Sequence, residues 1–280
     1  MFISSKKIMK LSEDVKRLIA GEDIDIRDNK EGSLRILKND IQSLANNKKE
    51  QVDILHKEQV ILKNTLADIS HQLKTPLTSM MIMAELLETA SPKKQAEFIS
   101  NIQSSLRRTE WLVSALLKMA KLEAKSITFK KEIIKSNDLI EKAIEPLRIQ
   151  LELANQNVVI YGNMFLECDV KWTIEALTNI LKNASEHGPK GSEIIIEVGE
   201  NPIVKWISVR DFGPGLSRCD VAKIFKRFET TGNVNSYGIG LPLALMIMQN
   251  QFGDIDVDTG SKNTGAKFTL KFYRFQNKNL

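Results

Sequence analysis

Three histidines occur in this chain, at positions 56, 71 and 187, and His71 stands where an imidazole could do chemistry. It lies two residues after Ile69 and two before Leu73, both on the apolar stripe of a helical pattern. At about 100° per residue a two-residue step is about 200°, which turns His71 away from that stripe toward solvent. A neutral imidazole near pH 7 is a competent nucleophile, and an exposed one can meet two partners in turn. A phosphorylated imidazole is a high-energy species suited to passing its phosphoryl group on. Thr75 follows one helical turn later on the same face, with Lys74 beside it. Pro76 removes a helical hydrogen bond and favours a bend there. A surface histidine beside a structural kink is the plainer account of the same residues.

Four further stretches carry residue types that suit phosphate handling. Asn179 and Asn183 are four apart and share a helix face; a carboxamide oxygen is a suitable hard ligand for Mg²⁺, although such pairs are commonly polar surface. An apolar run from Ile203 to Val209 ends in Asp211-Phe212-Gly213-Pro214-Gly215. A carboxylate at the end of a buried strand could accept a hydrogen bond from the exocyclic amine of adenine, with glycines letting backbone approach the ring. The same letters also describe a strand ending in a turn. The stretch from Phe225 through Lys226 and Arg227 to Tyr237 is basic, then small and polar, as suits either a loop over a ligand or a solvated connection. Finally, Gly238-Ile239-Gly240 runs into a helix whose first N–H groups and positive dipole end would attract an anion. No GxxxxGK[ST] or GxGxxG pattern is present, so P-loop and dinucleotide-fold readings are poor. Asn183 and Asp211 are 28 residues apart and Asp211 and Gly238 are 27 apart, which orders metal ligand, base reader and phosphate loop within one domain.

Those residues need two kinds of scaffold. From about Ile41 to Leu87 the apolar positions Leu55, Leu62, Leu66, Ile69, Leu73, Met80 and Leu87 recur at heptad-like steps. The turn Ala90-Ser91-Pro92 offers a capping serine and a proline at the first helical position of a second helix, which runs to about Ala124. Its apolar positions include Leu106, Leu112, Leu116 and Met119. A hairpin of two amphipathic helices cannot bury both stripes alone, so a homodimer forming a four-helix bundle is expected. After Ser126 the pattern predicts strands over 127–134, 157–162, 193–199, 203–211, 255–257 and 265–272, with helices over 137–154, 168–186 and 241–251. That mixture predicts an α+β two-layer sandwich. The chain is thus expected to be multi-domain: a linker-like segment over 1–50 with two short helices around a connector at 21–32, an all-α hairpin over 51–125, and an α+β domain over 126–280.

Composition permits this and excludes several alternatives. With 42% hydrophobic and 27% charged residues the chain can build cores, which argues against disorder throughout. A net charge of +5 is too mild to imply nucleic acid, and none is expected as a partner. Cys168 and Cys219 provide neither a disulfide framework nor CxxC zinc spacing. The best apolar run, Leu241 to Met248, is too short to span a bilayer, so a cytoplasmic chain is expected, with any membrane anchor in a segment upstream of Met1.

Taken together, the motifs resemble those of the sensor histidine kinases of bacterial two-component systems. SHQLKTPLTS around His71 is similar to the family's H-box, NILKNASEH to its N-box, DFGPG to its G1-box, IFKRFET to its F-box and GIGLPLA to its G2-box, while Asn263-Thr264-Gly265 resembles the last glycine motif. Residues 50–275 are covered, and the connector around Glu31-Gly32 weakly resembles a HAMP linker. The resemblance implies a GHKL-type ATP-binding domain and an enzyme that uses ATP and Mg²⁺. It implies His71 as phosphoacceptor and Thr75 as the residue that orients water for dephosphorylating a partner regulator. Asn183, with Asn179, would hold Mg²⁺. Asp211 would read adenine in a pocket shaped by Gly213 and Gly215. Gly238, Gly240 and Thr264 would line the nucleotide site, Lys226 and Arg227 would clamp it, and His187 would stack on the base. The implied partner is the receiver domain of a response regulator.

Two positions depart from the family pattern. Gln72 stands directly after the phosphoacceptor, where many relatives carry an acid that serves as general base, and Glu186 stands where a basic residue is frequent. These departures leave room for a nucleotide-binding dimeric scaffold. An ATP hydrolase of the same superfamily is a further alternative, but such hydrolases carry a water-activating glutamate where this chain has Asn179.

Overall fold

A computed structural model describes residues 5–20, 22, 24–27, 33–229, 237–259 and 265–274. The chain divides into two compact units, residues 1–72 and 73–280.

In the first unit, helix α1 (Ser5–Ile19) precedes the long helix α2 (Ser33–Leu86), which continues into the second unit. The second short helix expected in the N-terminal segment is therefore the beginning of α2 rather than a separate element. The connector is tied to α2 at one point: Ile26 is buried and its backbone N–H donates to Oε1 of Gln42 at 3.0 Å. Leu55, Leu62 and Leu66 of the heptad-like stripe are 63%, 59% and 56% exposed, a seam that this unit leaves uncovered. Pro76 lies inside α2, which stays helical through it.

The second unit begins with the last turns of α2 and the return helix α3 (Pro92–Glu123). Ser91 stands at the N-cap with Pro92 at N1, as the sequence predicts, but the serine side chain makes no capping bond; the turn is bridged instead by Nε2 of Gln95, which donates to the carbonyl of Leu87 at 3.0 Å. Leu112, Ala115, Met119 and Leu122 recur on one face of α3, and all four are buried in the core of the α/β domain that follows.

That domain contains a two-stranded antiparallel ribbon, β1 (Lys131–Lys135) with β3 (Phe165–Asp169), and a five-stranded sheet. The sheet order is β2 (Asn157–Tyr161), β4 (Glu193–Glu200), β5 (Val204–Arg210), β7 (Lys267–Tyr273), β6 (Gly253–Asp258); only the β2/β4 pair is parallel. Cross-strand register lines up Ile196, Val209, Phe268 and Val257 in one rung and Val198, Ile207, Leu270 and Ile255 in the next. These rungs meet helices α4 (Ser136–Ile144), α6 (Val170–His187) and α8 (Gly240–Asn250) in one core cluster, the short α7 (Arg218–Val221) lying between α6 and α8 in the chain. The opposite face pairs charges, as in Lys267 with Glu197 and Lys271 with Asp256. The result is the expected two-layer α+β sandwich.

Three local expectations are corrected. The helix over 137–154 is interrupted: Pro146 has no N–H to continue the ladder, so α4 ends in a 3₁₀ turn at Glu145–Leu147 before the short α5 (Arg148–Leu153). The helix expected from Cys168 starts at Val170, because Phe165–Asp169 pairs with β1; Leu166 and Cys168 point inward while Phe165 and Glu167 point out. Asp169 then ends the strand and caps α6, its Oδ1 accepting from the backbone N–H of Trp172 at 3.1 Å. The strand expected over 127–134 is the shorter β1.

Candidate nucleotide site

Helix α6 turns Ala176, Leu177, Ile180, Leu181 and Ala184 into the core and sets Asn179, Asn183 and Glu186 along the adjoining face. Asn179 is buried; its Nδ2 donates to its own helix at the carbonyl of Glu175, 2.9 Å away. Its Oδ1 is thereby aimed at the start of α8, where a Cβ on Gly240 would come within 3.1 Å of it. Asn183 is half-buried, and its carboxamide takes no hydrogen bond from the described residues. The C-terminal end of α6 is fixed by Gln156, whose Nε2 reaches the carbonyls of Ser185, Gly188 and Pro189 at 3.1–3.2 Å while its Oε1 accepts from the Ser185 hydroxyl at 2.7 Å.

Asp211 follows directly after β5 and is buried. One carboxylate oxygen, Oδ1, accepts from the backbone N–H of Gly213 at 2.9 Å and of Ala266 at 3.2 Å. Burial pushes its pKa above the ordinary aspartate value, and those two N–H groups, with His187, oppose the shift. Gly213 approaches α6 so closely that the carbonyl oxygen of His187 lies 2.4 Å from where its Cβ would be.

Gly238 adopts φ +63°, and its carbonyl accepts from the N–H of Phe228 at 3.0 Å. A Cβ there would meet the carbonyl of Glu229 at 2.4 Å, so a side chain is excluded by both conformation and space. Beyond it the first turn of α8, with Pro242 in it, presents the open N–H end of a helix.

A cavity of about 830 Å³ collects Asn179, Asn183, His187, Asp211, Gly215, Gly238 and Gly240. That is within the range of about 300–1,000 Å³ usual for small-molecule sites. Gly213 backs Asp211 rather than lining the space. Lys226 and Arg227 do not line it: Lys226 is exposed, and the guanidinium of Arg227 is turned to Glu123 of α3, with Sδ of Met246 at 3.9 Å. The clamp expected of them is absent from this arrangement because α3 offers Arg227 a carboxylate on the other side. Thr264 lies outside the described residues, as does the stretch over 230–236. His71 is exposed and Gln72 half-buried in the unit of residues 1–72, whereas the cavity belongs to residues 73–280; Thr75 is exposed on α2 and is not part of the cavity wall.

Sequence reasoning missed the contribution of α3. Arg107, Arg108 and Trp111 line the cavity, and Lys182 of α6 stands 4.6 Å from the Trp111 ring centroid. Nothing local in Arg107-Arg108 distinguishes them from a solvated helix surface; only the burial of Leu112 and Met119 beside them shows which way they face. Among the described residues no group of three or more His, Cys, Asp or Glu side chains could hold a metal ion. Asn183 offers the cavity an amide oxygen, a donor type that Mg²⁺ accepts beside phosphate and water.

Comparisons with known proteins bear on the family and the fold. Residues 61–125 match the His Kinase A (phospho-acceptor) domain and residues 168–275 match the histidine kinase-, DNA gyrase B- and HSP90-like ATPase family. The chain is 31% identical over 223 residues to sensor histidine kinase WalK of Bacillus subtilis, covering 74% of this chain and 36% of that protein. It is 25% identical over 277 residues to YclK of the same organism, covering 95% of this chain and 58% of that one. The chain thus spans only part of these relatives. Among solved structures, histidine kinase ThkA in complex with response regulator protein TrrA aligns with a TM-score of 0.66 at 20% identity, covering 83% of this chain and 67% of that one. The Acinetobacter baumannii histidine kinase AdeS aligns at 0.60 and 18%, covering 72% and 97%. These two likenesses speak for the fold. With both family domains present in order, and with the ATPase-type cavity built from the residues of its boxes, the chain belongs to the sensor histidine kinases of two-component systems.

Proposed function

We propose that the chain is the kinase portion of a sensor protein that autophosphorylates His71 from ATP and passes the phosphoryl group to an aspartate of a response regulator. Residues 1–50 would act as a HAMP-like linker, 51–125 as the dimerisation and phosphotransfer hairpin, and 126–280 as the ATP-binding domain. The observation that carries this reading is the convergence of Asn183, Asp211 and Gly238 on one cavity in a chain that also presents an exposed His71.

In this reading Asp211 accepts from the adenine amine through Oδ2, since Oδ1 is occupied by backbone N–H groups. The α8 N-terminus and Asn183 face the phosphates, and Mg²⁺ held by Asn183 would supply charge neutralisation there. A ring nitrogen of His71 attacks the γ-phosphorus in line. The N–P bond forms, the bond from phosphorus to the β,γ-bridging oxygen breaks, and ADP leaves. Gln72 cannot take the imidazole proton, so the proton passes to solvent. Catalysis is then mainly positioning and charge stabilisation, with both groups tethered on one chain. A carboxylate oxygen of the receiver aspartate then attacks that phosphorus, the O–P bond forms, the N–P bond breaks and the imidazole of His71 leaves, while Thr75 orients water when the regulator is dephosphorylated. A homodimer accounts for the exposed leucines of α2, whose stripe then closes a four-helix bundle. No helix among the described residues is long and apolar enough to cross a membrane, in keeping with a cytoplasmic portion of a sensor.

Incubation with γ-labelled ATP tests the proposal. An acid-labile label on the protein that is lost in His71→Ala, with ATP binding retained, is expected. Free phosphate without labelled protein would instead mark a hydrolase, and bound nucleotide with neither product would mark a scaffold.

A further inference from the structure

Apart from what α3 brings, the charged lining of the cavity is predominantly acidic. The α/β domain contributes four carboxylates, Glu186, Asp211, Asp220 and Glu229, and one lysine, Lys182. That lysine lies over the Trp111 ring, 3.8 Å from Glu186. Lys226 and Arg227 do not reach the space. A nucleoside triphosphate carries about four negative charges of its own, so this lining alone would repel the ligand that the rest of the site is shaped to take. The other two cations among the described lining residues are Arg107 and Arg108, both from α3.

Their placement follows from a register. Trp111 faces Lys182, and Lys118 pairs with Glu175 at 2.8 Å, so seven residues forward on α3 is seven back on α6. The two helices therefore run antiparallel here, and continuing the register brings Arg107 level with Glu186, one turn from Asn183. The apolar face of α3, buried to 2% exposure or less at Leu112, Ala115, Met119 and Leu122, holds this alignment. A guanidinium is planar, always charged and matched to phosphate oxygens in pairs, which suits it to this position better than a lysine.

We propose that Arg107 and Arg108 are phosphate-binding residues of the nucleotide site, supplied by the helical hairpin. This rests on the ATP-binding reading above and adds a consequence. Among the described residues these two arginines balance the acidic lining only while α3 is docked, so ATP that binds the docked form more tightly shifts the chain toward it.

The test is equilibrium binding of ATP, ADP and AMP, with Mg²⁺ present, by displacement of a fluorescent ATP analogue from the full chain. Four proteins are compared: the parent, the double variant Arg107→Gln/Arg108→Gln, the double variant Arg107→Lys/Arg108→Lys, and a control, Lys93→Gln/Lys94→Gln, which removes two α3 cations outside the cavity. The glutamine pair is expected to weaken ATP about tenfold or more, ADP less and AMP by under about twofold, with the lysine pair recovering part of the loss and the control unchanged. Retained AMP binding reports an intact pocket. An ATP affinity unchanged in the glutamine pair, or an equal loss for ATP and AMP, overturns the assignment while leaving the ATP-binding reading in place. Failure of the parent to bind ATP overturns both.

Discussion

The carbonyl oxygen of Asp211 lies 1.8 Å from where a Cβ on Gly265 would stand. Gly265 sits at φ +76°, and the next residue, Ala266, exchanges two bonds with Asp211: it accepts from the Asp211 N–H at 3.0 Å and donates to Oδ1 at 3.2 Å. The strand-end carboxylate is thus oriented by a chain segment 55 residues further on, and that segment reaches it only because position 265 has no side chain. Gly265→Ala combines a left-handed conformation with a backbone clash and is expected to cost more than about 2 kcal/mol. Denaturant unfolding followed by tryptophan fluorescence checks this, and ATP titration should show weakened binding alongside. Stability and affinity matching the parent would mean that the two segments are not held together this way.

Asp211 also gives a pH prediction. Its folded pKa is raised by burial, so the folded chain holds that proton more tightly than the unfolded chain. The sign follows: its contribution to stability is fully present below the ordinary aspartate pKa of about 4 and is lost as the pH rises through the raised value. In Asp211→Asn the Oδ1 can still accept both N–H groups, but nothing ionises. The stability of the variant relative to the parent should therefore increase from acid to neutral pH, measured by urea unfolding across that interval. Nucleotide affinity should move the other way. The second atom of the amide is a donor and faces the adenine amine donor for donor, so ATP binding should fall about tenfold or more. A stability difference flat in pH would contradict the burial effect.

Pro76 lies inside α2, one residue after Thr75. Proline in a helix interior costs about 3 kcal/mol relative to alanine, so Pro76→Ala should stiffen the helix beside His71 and Thr75. The expected outcome is a changed ratio of autophosphorylation rate to regulator dephosphorylation rate, with ATP affinity unaltered. Both rates measured on the same preparation decide it; two unchanged rates would remove Pro76 as a hinge.

Much of the site was legible because its parts are local. The step of two residues that turns His71 off the apolar stripe, the four-residue spacing of Asn179 and Asn183, and the glycines before α8 all have their meaning within one or two helical turns. Strands were legible where β-branched residues run together, as in β4 and β5. The missed strand β3 is five residues long and contains Glu167 and Asp169; its alternation was present but short, and its pairing with β1 joins residues 30 to 38 positions apart. The helix break at Pro146 was written in the sequence by a residue that cannot continue a hydrogen-bond ladder.

Which residues share a face and which backbone positions must lack a side chain can be read from the chain alone, since helical period and glycine conformation are properties of the nearest few residues. What covers each face cannot be read that way. Leu112 and Met119 carry the periodicity of a bundle helix, yet here they are buried against the α/β domain, and that docking turns Arg107 and Arg108 into the cavity. Arg227 has the composition of a phosphate clamp, yet Glu123 of α3 claims it. Tertiary structure decided both, because burial and charge pairing depend on which distant surface arrives, and an apolar stripe or an arginine is chemically satisfied by more than one.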